Sequence, residues 1–71
     1  MDAQREIPIR GELIRLGQLL KVAGVVDSGA EAKELLASGA IRVNGERETR
    51  RGRQLLRGDI VATARGELRV V

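Results

Sequence analysis

The sequence predicts an α+β fold in which two short helices, arranged as a helix-turn-helix, pack on a small β-sheet. Apolar residues recur at helical spacing between residues 13 and 36 and alternate as in a strand from residue 41 onward. Between two such strand-like stretches stands the pair Asn44-Gly45, which is the strongest short signal for a β-hairpin. A chain of 71 residues also predicts one small domain, residues 1–71.

Composition restricts both the core and the chemistry. The chain has no Phe, Tyr, Trp, Cys or His, so its core must be built from aliphatic side chains. The absence of Cys and His excludes disulfides, thiol nucleophiles, Cys/His zinc sites and imidazole catalysis. We therefore expect no cofactor and no metal. No apolar run approaches the roughly 18 residues that span a bilayer, which predicts a cytoplasmic protein with no membrane association.

Residues 5–24 are predicted to form an edge strand followed by a helix. Pro8 cannot donate a hydrogen bond to a neighbouring strand, so residues 5–10 suit a sheet edge. Gly24 suits the left-handed position that ends a helix. The helix is predicted to begin at Glu12. Its buried face is expected to contain Leu13, Leu16, Leu19, Leu20 and Ala23.

A second helix is predicted to begin at Ser28 and to end at Gly39. Ser28 and Glu31 have the spacing of a capping box, in which the Ser28 side chain accepts from the Glu31 amide and the Glu31 side chain returns to the Ser28 amide. Few residues separate the two helices, so they must cross steeply and share one core. The buried stripe of the second helix is expected to contain Ala32, Leu35 and Leu36.

The second half predicts a sheet interrupted by a basic loop. Ile41 and Val43 should face the core and Arg42 the solvent, on one arm of the hairpin. Residues 50–57 are interpreted as a loop around Gly52. Two residues are expected to pin that loop to the core, Leu55 and Leu56. The remaining strands are predicted at residues 46–49, 60–64 and 68–71.

Charge is distributed unevenly along the chain. Thirteen Lys and Arg against ten Asp and Glu give a net charge of +3, yet all the bases after residue 36 are arginines. The planar guanidinium fork fits phosphate bidentately, which a Lys ammonium does not. No acid stands between residues 50 and 57, so these arginines repel one another unless a polyanion lies nearby. The pattern favours a polyanion site over a merely solvated basic face.

The order of elements resembles the S-four domain, the RNA-binding module named after the fourth protein of the small ribosomal subunit and also called the αL motif. The resemblance covers a core motif at residues 15–62 and is nearest to short stand-alone bacterial S-four proteins. It departs from the broader pattern at Gly17, where larger relatives tend to have Asp, and at Gly29, where many have Arg. The matching residues are Arg15, Leu16, Leu19 or Leu20, Gly24, Ser28, Ala32, Leu35, Gly39, Ile41, Val43, Asn44, Gly45, Gly58 and Asp59.

In that family, RNA lies against the second helix and the hairpin and is contacted largely through its backbone. The resemblance therefore implies that the protein binds structured RNA, with ribosomal or transfer RNA favoured over messenger RNA. We expect a monomer with no catalytic activity. Arg57 is a further candidate by charge, unless it pairs with Asp59; Arg15 and Lys21 stay open. The side chains that the resemblance turns toward RNA are Lys33, Arg42, Asn44, Arg50, Arg51 and Arg53.

Three other functions fit parts of the pattern less well. Catalysis would need more than the carboxylate pairs at residues 31 and 34 and at residues 46 and 48, because neither comes with a nucleophile or a convergent base. A DNA-binding helix at residues 28–38 would present Glu31, Lys33 and Glu34, with no Arg, Asn or Gln for base edges. A protein-interaction module whose arginines dock an acidic or ribosomal partner stays open on sequence alone.

Overall fold

The computed structural model describes residues 4–71 and has the predicted α+β architecture, with two helices on a mixed sheet. The helices are α1 (Leu16–Val22) and α2 (Gly29–Ala37). The strands are β1 (Arg5–Ile7), β2 (Ile14–Arg15), β3 (Arg42–Val43), β4 (Glu46–Arg47), β5 (Gln54–Leu55), β6 (Ile60–Thr63) and β7 (Gly66–Val70). The main sheet has the order β1-β7-β6-β3-β4, and β2 pairs with β5 in a separate two-stranded sheet.

Most of the predicted strands are present in the structure. β1 is an edge strand, as the position of Pro8 predicted, and it runs parallel to β7, whereas the other pairs are antiparallel. The pairing of β2 with β5 was not predicted. In residues 4–71, no helix has the length and hydropathy needed to cross a membrane.

The core is aliphatic and lies between the helices and the sheet. Leu16, Leu19, Leu20 and Leu36 have no exposed surface, and Ile41 and Val43 join them from the hairpin. Two expectations are wrong. Leu13 is 42% exposed and Leu56 is 56% exposed, while its neighbour Leu55 is fully buried. Leu35 is only partly buried.

Helix α1 begins at Leu16 and not at Glu12 as predicted, because another segment supplies its cap. Arg15 stands at the N-cap without a side-chain hydrogen bond. The amide of Leu16 donates to the Arg53 carbonyl at 2.8 Å, and the amide of Gly17 donates to the Arg51 carbonyl at 2.9 Å. Backbone carbonyls of the basic loop thus satisfy the first amides of α1. This contact joins α1 to the loop that carries most of the arginines.

Helix α2 has the predicted cap with one change. The Ser28 hydroxyl accepts from the Glu31 amide at 3.2 Å, as expected. The Glu31 carboxylate accepts from the amide of Asp27 at 2.7 Å and not from that of Ser28. Glu31 therefore fastens the residue before the cap, and the turn between the helices is tied to the first turn of α2.

Replacing Ser28 with Ala is expected to lower the free energy of unfolding by about 1 kcal/mol, because the Glu31 amide loses its acceptor. In a domain of this size, that corresponds to a fall in Tm of about 4–8 °C. Ser38→Ala is the matched control, since its hydroxyl donates to the Leu35 carbonyl at the other end of α2. Thermal unfolding followed by circular dichroism measures both. Equal Tm values for the two variants would contradict the capping role.

The hairpin between β3 and β4 has the predicted turn. Asn44 and Gly45 have φ angles of 52° and 89°, as a type I′ turn requires. The Asn44 side chain also fastens the turn to the neighbouring strand. Its Oδ1 accepts from the Ile60 amide at 2.9 Å, and its Nδ2 donates to Asp59 at 3.0 Å. The hairpin is therefore held at a fixed position on the sheet.

Candidate nucleic-acid interface

The segment at residues 47–51 lies alongside α2 and runs from the C-terminal end of the helix to its N-terminal end. A Cβ placed on Gly39, beyond the last turn of α2, would lie 3.3 Å from Nε of Arg47. At the first turn, Nη1 of Arg51 lies 3.5 Å from the Gly29 carbonyl oxygen. A nine-residue helix is about 14 Å long. Two arginines thus mark the two ends of α2. We call this surface the arginine strip, defined by Arg42, Arg47, Arg50, Arg51 and Arg53.

Lys33 shares the face of α2 on which Arg51 lies. It stands one turn after Gly29, and side chains four residues apart are neighbours on a helix surface. Glu31 and Glu34 line a groove with Leu35 that is separate from the contacts of Arg51. The positive and negative side chains of α2 are therefore segregated, and its positive face adjoins the arginine strip.

Glu48 organises the centre of the arginine strip. Only 6% of its surface is exposed, and its carboxylate accepts five hydrogen bonds of 2.9–3.1 Å. The donors are the amides of Thr49 and Arg50 and the guanidinium groups of Arg50 and Arg53. Hydrogen bonds from Arg50, then from Arg53, hold the pKa of Glu48 far below its ordinary 4.5. Glu48 is therefore ionised at neutral pH.

This buried carboxylate corrects one step of the sequence argument. The arginines at residues 50–57 have no acid among them in sequence, but in space Glu48 lies between Arg50 and Arg53. Their mutual repulsion is thus partly relieved within the chain. The side chain of Arg50 remains 74% exposed. Two of its five N–H donors face Glu48, which leaves three for a ligand.

Arg51 occupies the space that two glycines leave open. A Cβ on Gly17 would lie 2.5 Å from Cγ of Arg51, which is closer than two non-bonded carbon atoms approach one another. A Cβ on Gly29 would lie 3.4 Å from Nη1 of Arg51. These are the two positions at which the chain departs from the broader S-four pattern. A longer side chain at either position would compete with Arg51 for the same space.

Arg47 is a candidate that the sequence argument missed. It lies directly opposite Arg42 in the register of β3 and β4, and both are exposed. Like charges directly opposite one another destabilise a strand pair. The signal was available, because a two-residue Asn-Gly turn fixes which residues face one another across a hairpin. A bound anion would relieve the repulsion between Arg42 and Arg47.

The structure gives Asn44 and Arg57 contacts within the chain. The Asn44 side chain uses its oxygen and one N–H on Ile60 and Asp59. Nη2 of Arg57 donates to the Ile9 carbonyl at 3.0 Å, and Arg57 does not form the alternative pair with Asp59. Asp59 accepts from the Leu56 amide and from Asn44 instead. Within residues 4–71, no hydrogen bond joins either side chain to a member of the arginine strip.

A helix-turn-helix on a mixed sheet, with a basic loop along the second helix, is the arrangement expected of an S-four module. The chain belongs to the S4 domain family, whose model matches residues 7–71. The resemblance seen in the sequence is thereby confirmed.

This chain is similar to several curated proteins and to solved structures. "Probable ribosome maturation protein RlbA" of Bacillus subtilis is 49% identical over 55 residues, which are 78% of each chain. "Putative RNA-binding protein YbcJ" of Escherichia coli is 38% identical over 58 residues, 82% of this chain and 83% of the relative. The solution structure of E. coli YbcJ, described as revealing an αL motif involved in RNA binding, has a TM-score of 0.64 at 33% identity. The structural match covers 97% of this chain and 86% of the YbcJ chain.

Proposed function

We propose that this protein is a non-catalytic RNA-binding protein that recognises structured RNA through phosphate geometry and shape. The observation that carries the proposal is the arginine strip, which runs from Arg47 at the end of α2 to Arg51 at its beginning. The names of RlbA and YbcJ support it, and that of RlbA favours ribosomal RNA over transfer RNA. We further propose that the chain acts as a cytoplasmic monomer, with residues 15–62 as the RNA-binding motif.

The chemistry of the arginine strip suits phosphate groups better than bases. Guanidinium forks bind phosphate oxygens bidentately, and contacts of this kind position a nucleic acid without reading its sequence. The chain has no aromatic side chain for stacking on splayed bases. We propose contacts from Lys33, Arg42, Arg47, Arg50, Arg51 and Arg53, and weaker ones from Asn44 and Arg57, which are already engaged within the chain.

Catalysis and DNA reading have less support. Glu48 accepts five hydrogen bonds and stays ionised, so it has neither the free lone pair nor the proton that acid/base chemistry needs. Helix α2 exposes Glu31, Lys33 and Glu34, and of these only Lys33 carries a side chain that pairs with a purine edge in the major groove. The remaining competitor is an acidic protein partner.

Salt dependence separates RNA from an acidic protein. If four arginines of the strip each neutralise one phosphate, the logarithm of the affinity should fall against the logarithm of the salt concentration with a slope of about −3. Arg42→Gln should make the slope shallower by nearly one. A folded RNA should bind about tenfold more tightly than duplex DNA of equal length, because A-form RNA presents 2′-hydroxyls in its minor groove. The measurement is a titration of labelled nucleic acid over a salt series.

Arg65→Gln is the control, because Arg65 lies in the turn between β6 and β7, outside the arginine strip. Its slope should match that of the unaltered protein. A slope near zero would favour a protein partner, and equal or tighter binding of duplex DNA would favour a DNA-binding function.

A further inference from the structure

A cleft of about 390 Å³ opens between α1, the start of α2 and the basic loop. Gly17 and Gly29 contribute to its wall without side chains, and Arg51 lies across both. The polar side chains that line it are Arg15, Gln18, Lys21 and Arg51. Arg15 and Lys21 are the two bases whose role the sequence left open.

The cleft gathers three positive charges and no carboxylate among its lining residues. Two of them, Arg15 and Lys21, come from opposite ends of α1, and the third comes from a loop far along the sequence. The amides of Leu16 and Gly17 already donate to loop carbonyls. An anion in the cleft would therefore be held by side chains and not by the amides at the start of α1.

The volume indicates a ligand larger than a phosphate ion, since it falls at the lower end of the range for small-molecule sites, about 300–1,000 Å³. The amide of Gln18 offers a donor and an acceptor, which match the edge of a nucleobase. A guanidinium plane supports a stacked base in the absence of an aromatic ring. The cleft thus combines the groups that hold a phosphate with groups that hold a base.

Building on the RNA binding proposed above, we propose that this cleft binds one nucleoside monophosphate unit, supplied as an unpaired nucleotide of RNA. Lys21 and Arg15 bind its phosphate, and Gln18 hydrogen-bonds to the base edge. The flat face of the Arg51 guanidinium stacks on the base, which leaves the N–H donors at its edge for a phosphate of the flanking RNA. The arginine strip then holds the flanking helical RNA, and the cleft selects an RNA with an extruded nucleotide. This adds a local structural preference to binding that phosphate contacts alone leave unselective.

The test compares two RNA hairpins that differ only in one bulged nucleotide, with affinities measured at one salt concentration. The unaltered protein should bind the bulged hairpin about tenfold more tightly, a difference of about 1.4 kcal/mol. Lys21→Gln and Gln18→Leu should each reduce this ratio to below threefold. Lys33→Gln is the matched control: it removes a lysine of α2 that does not line the cleft, so it should weaken both complexes equally.

Amide chemical shifts of 15N-labelled protein locate the bound nucleotide and show whether RNA or a free nucleotide supplies it. The bulged hairpin should move the Gln18 and Gly29 resonances more than the paired hairpin does, and adenosine 5′-monophosphate should move them only at millimolar concentration. Equal affinity for the two hairpins would overturn the proposal that the cleft binds a nucleotide, and so would an affinity ratio that Lys21→Gln leaves unchanged. Either result would leave the proposed function intact. Tighter binding of free adenosine 5′-monophosphate than of RNA would overturn the RNA source. Failure to bind either hairpin would instead reject the proposed function itself.

Discussion

Glu48→Gln is expected to lower the free energy of unfolding by about 2–3 kcal/mol at pH 7, because hydrogen bonds to a buried charged acceptor are worth more than neutral ones. An amide keeps one acceptor oxygen and turns an NH₂ group toward the donors of Thr49, Arg50 and Arg53. Glu46→Gln, two residues earlier and exposed, is the control and should change stability by less than about 0.5 kcal/mol. Urea unfolding followed by circular dichroism measures both.

The loss in Glu48→Gln should depend on pH. The folded-state pKa of Glu48 lies well below its ordinary value of 4.5, so the ionised carboxylate stabilises the fold above the unfolded pKa. That contribution falls away as the pH drops below 4.5 toward the folded pKa. The difference between the variant and the unaltered protein should thus be constant near neutrality and shrink in acid. A difference that stays the same from pH 7 to pH 3 would show that Glu48 acts only by packing.

Local signals predicted the parts of the fold whose causes are local. The change from helical to alternating spacing near Gly39 separates α2 from the hairpin, and the φ angles of Asn44 and Gly45 follow from the residue types. The Ser28 hydroxyl accepts from the amide of a residue three positions away, so four consecutive residues are enough to predict its capping role. Such features depend on neighbours in the chain and require no knowledge of the tertiary structure.

The start of α1 and the role of Glu48 depended on contacts that the sequence does not reveal. Leu16 and Gly17 take their caps from carbonyls more than thirty residues away, so no capping residue precedes them. The pattern therefore extended α1 to Glu12 and wrongly buried Leu13. The sequence shows Glu48 only as one of a pair of carboxylates with Glu46, and the fold of residues 48–53 turns it inward onto two arginines.

The candidate site was predictable by charge but not by arrangement. The local density of arginines selected Arg50, Arg51 and Arg53, and the family resemblance implied the same three residues together with Arg42. Their contacts with RNA remain a prediction. Sequence reasoning could not distinguish Arg51, which packs on Gly17, from Arg50, which is held by Glu48. That distinction decides how a loss of binding is interpreted, because only one of the two residues belongs to the carboxylate network.

The combined change of Arg50, Arg51 and Arg53 to Gln should weaken RNA binding about a hundredfold at 0.1 M salt. Each phosphate contact is worth roughly 0.7–0.9 decades of affinity at this salt concentration, and Glu48 already neutralises part of the charge of Arg50 and Arg53. The loss should be uniform across RNA sequences, since phosphate contacts carry no base information. Equal removal of charge from Arg10, Arg65 and Arg69 is the control and should weaken binding by less than tenfold.

Because Arg50 and Arg53 also hold Glu48, the triple variant will lose stability, and its affinity must be measured below its melting transition. Arg51→Gln alone removes no partner of Glu48 and should still weaken binding about sixfold, one phosphate contact at 0.1 M salt. If Arg51→Gln binds normally and the triple variant does not, Arg51 would make no phosphate contact, and the loss would come from Arg50 and Arg53 or from the loop that they hold through Glu48. If the control triple weakens binding more than the strip triple does, the RNA surface would lie at the C-terminal strands.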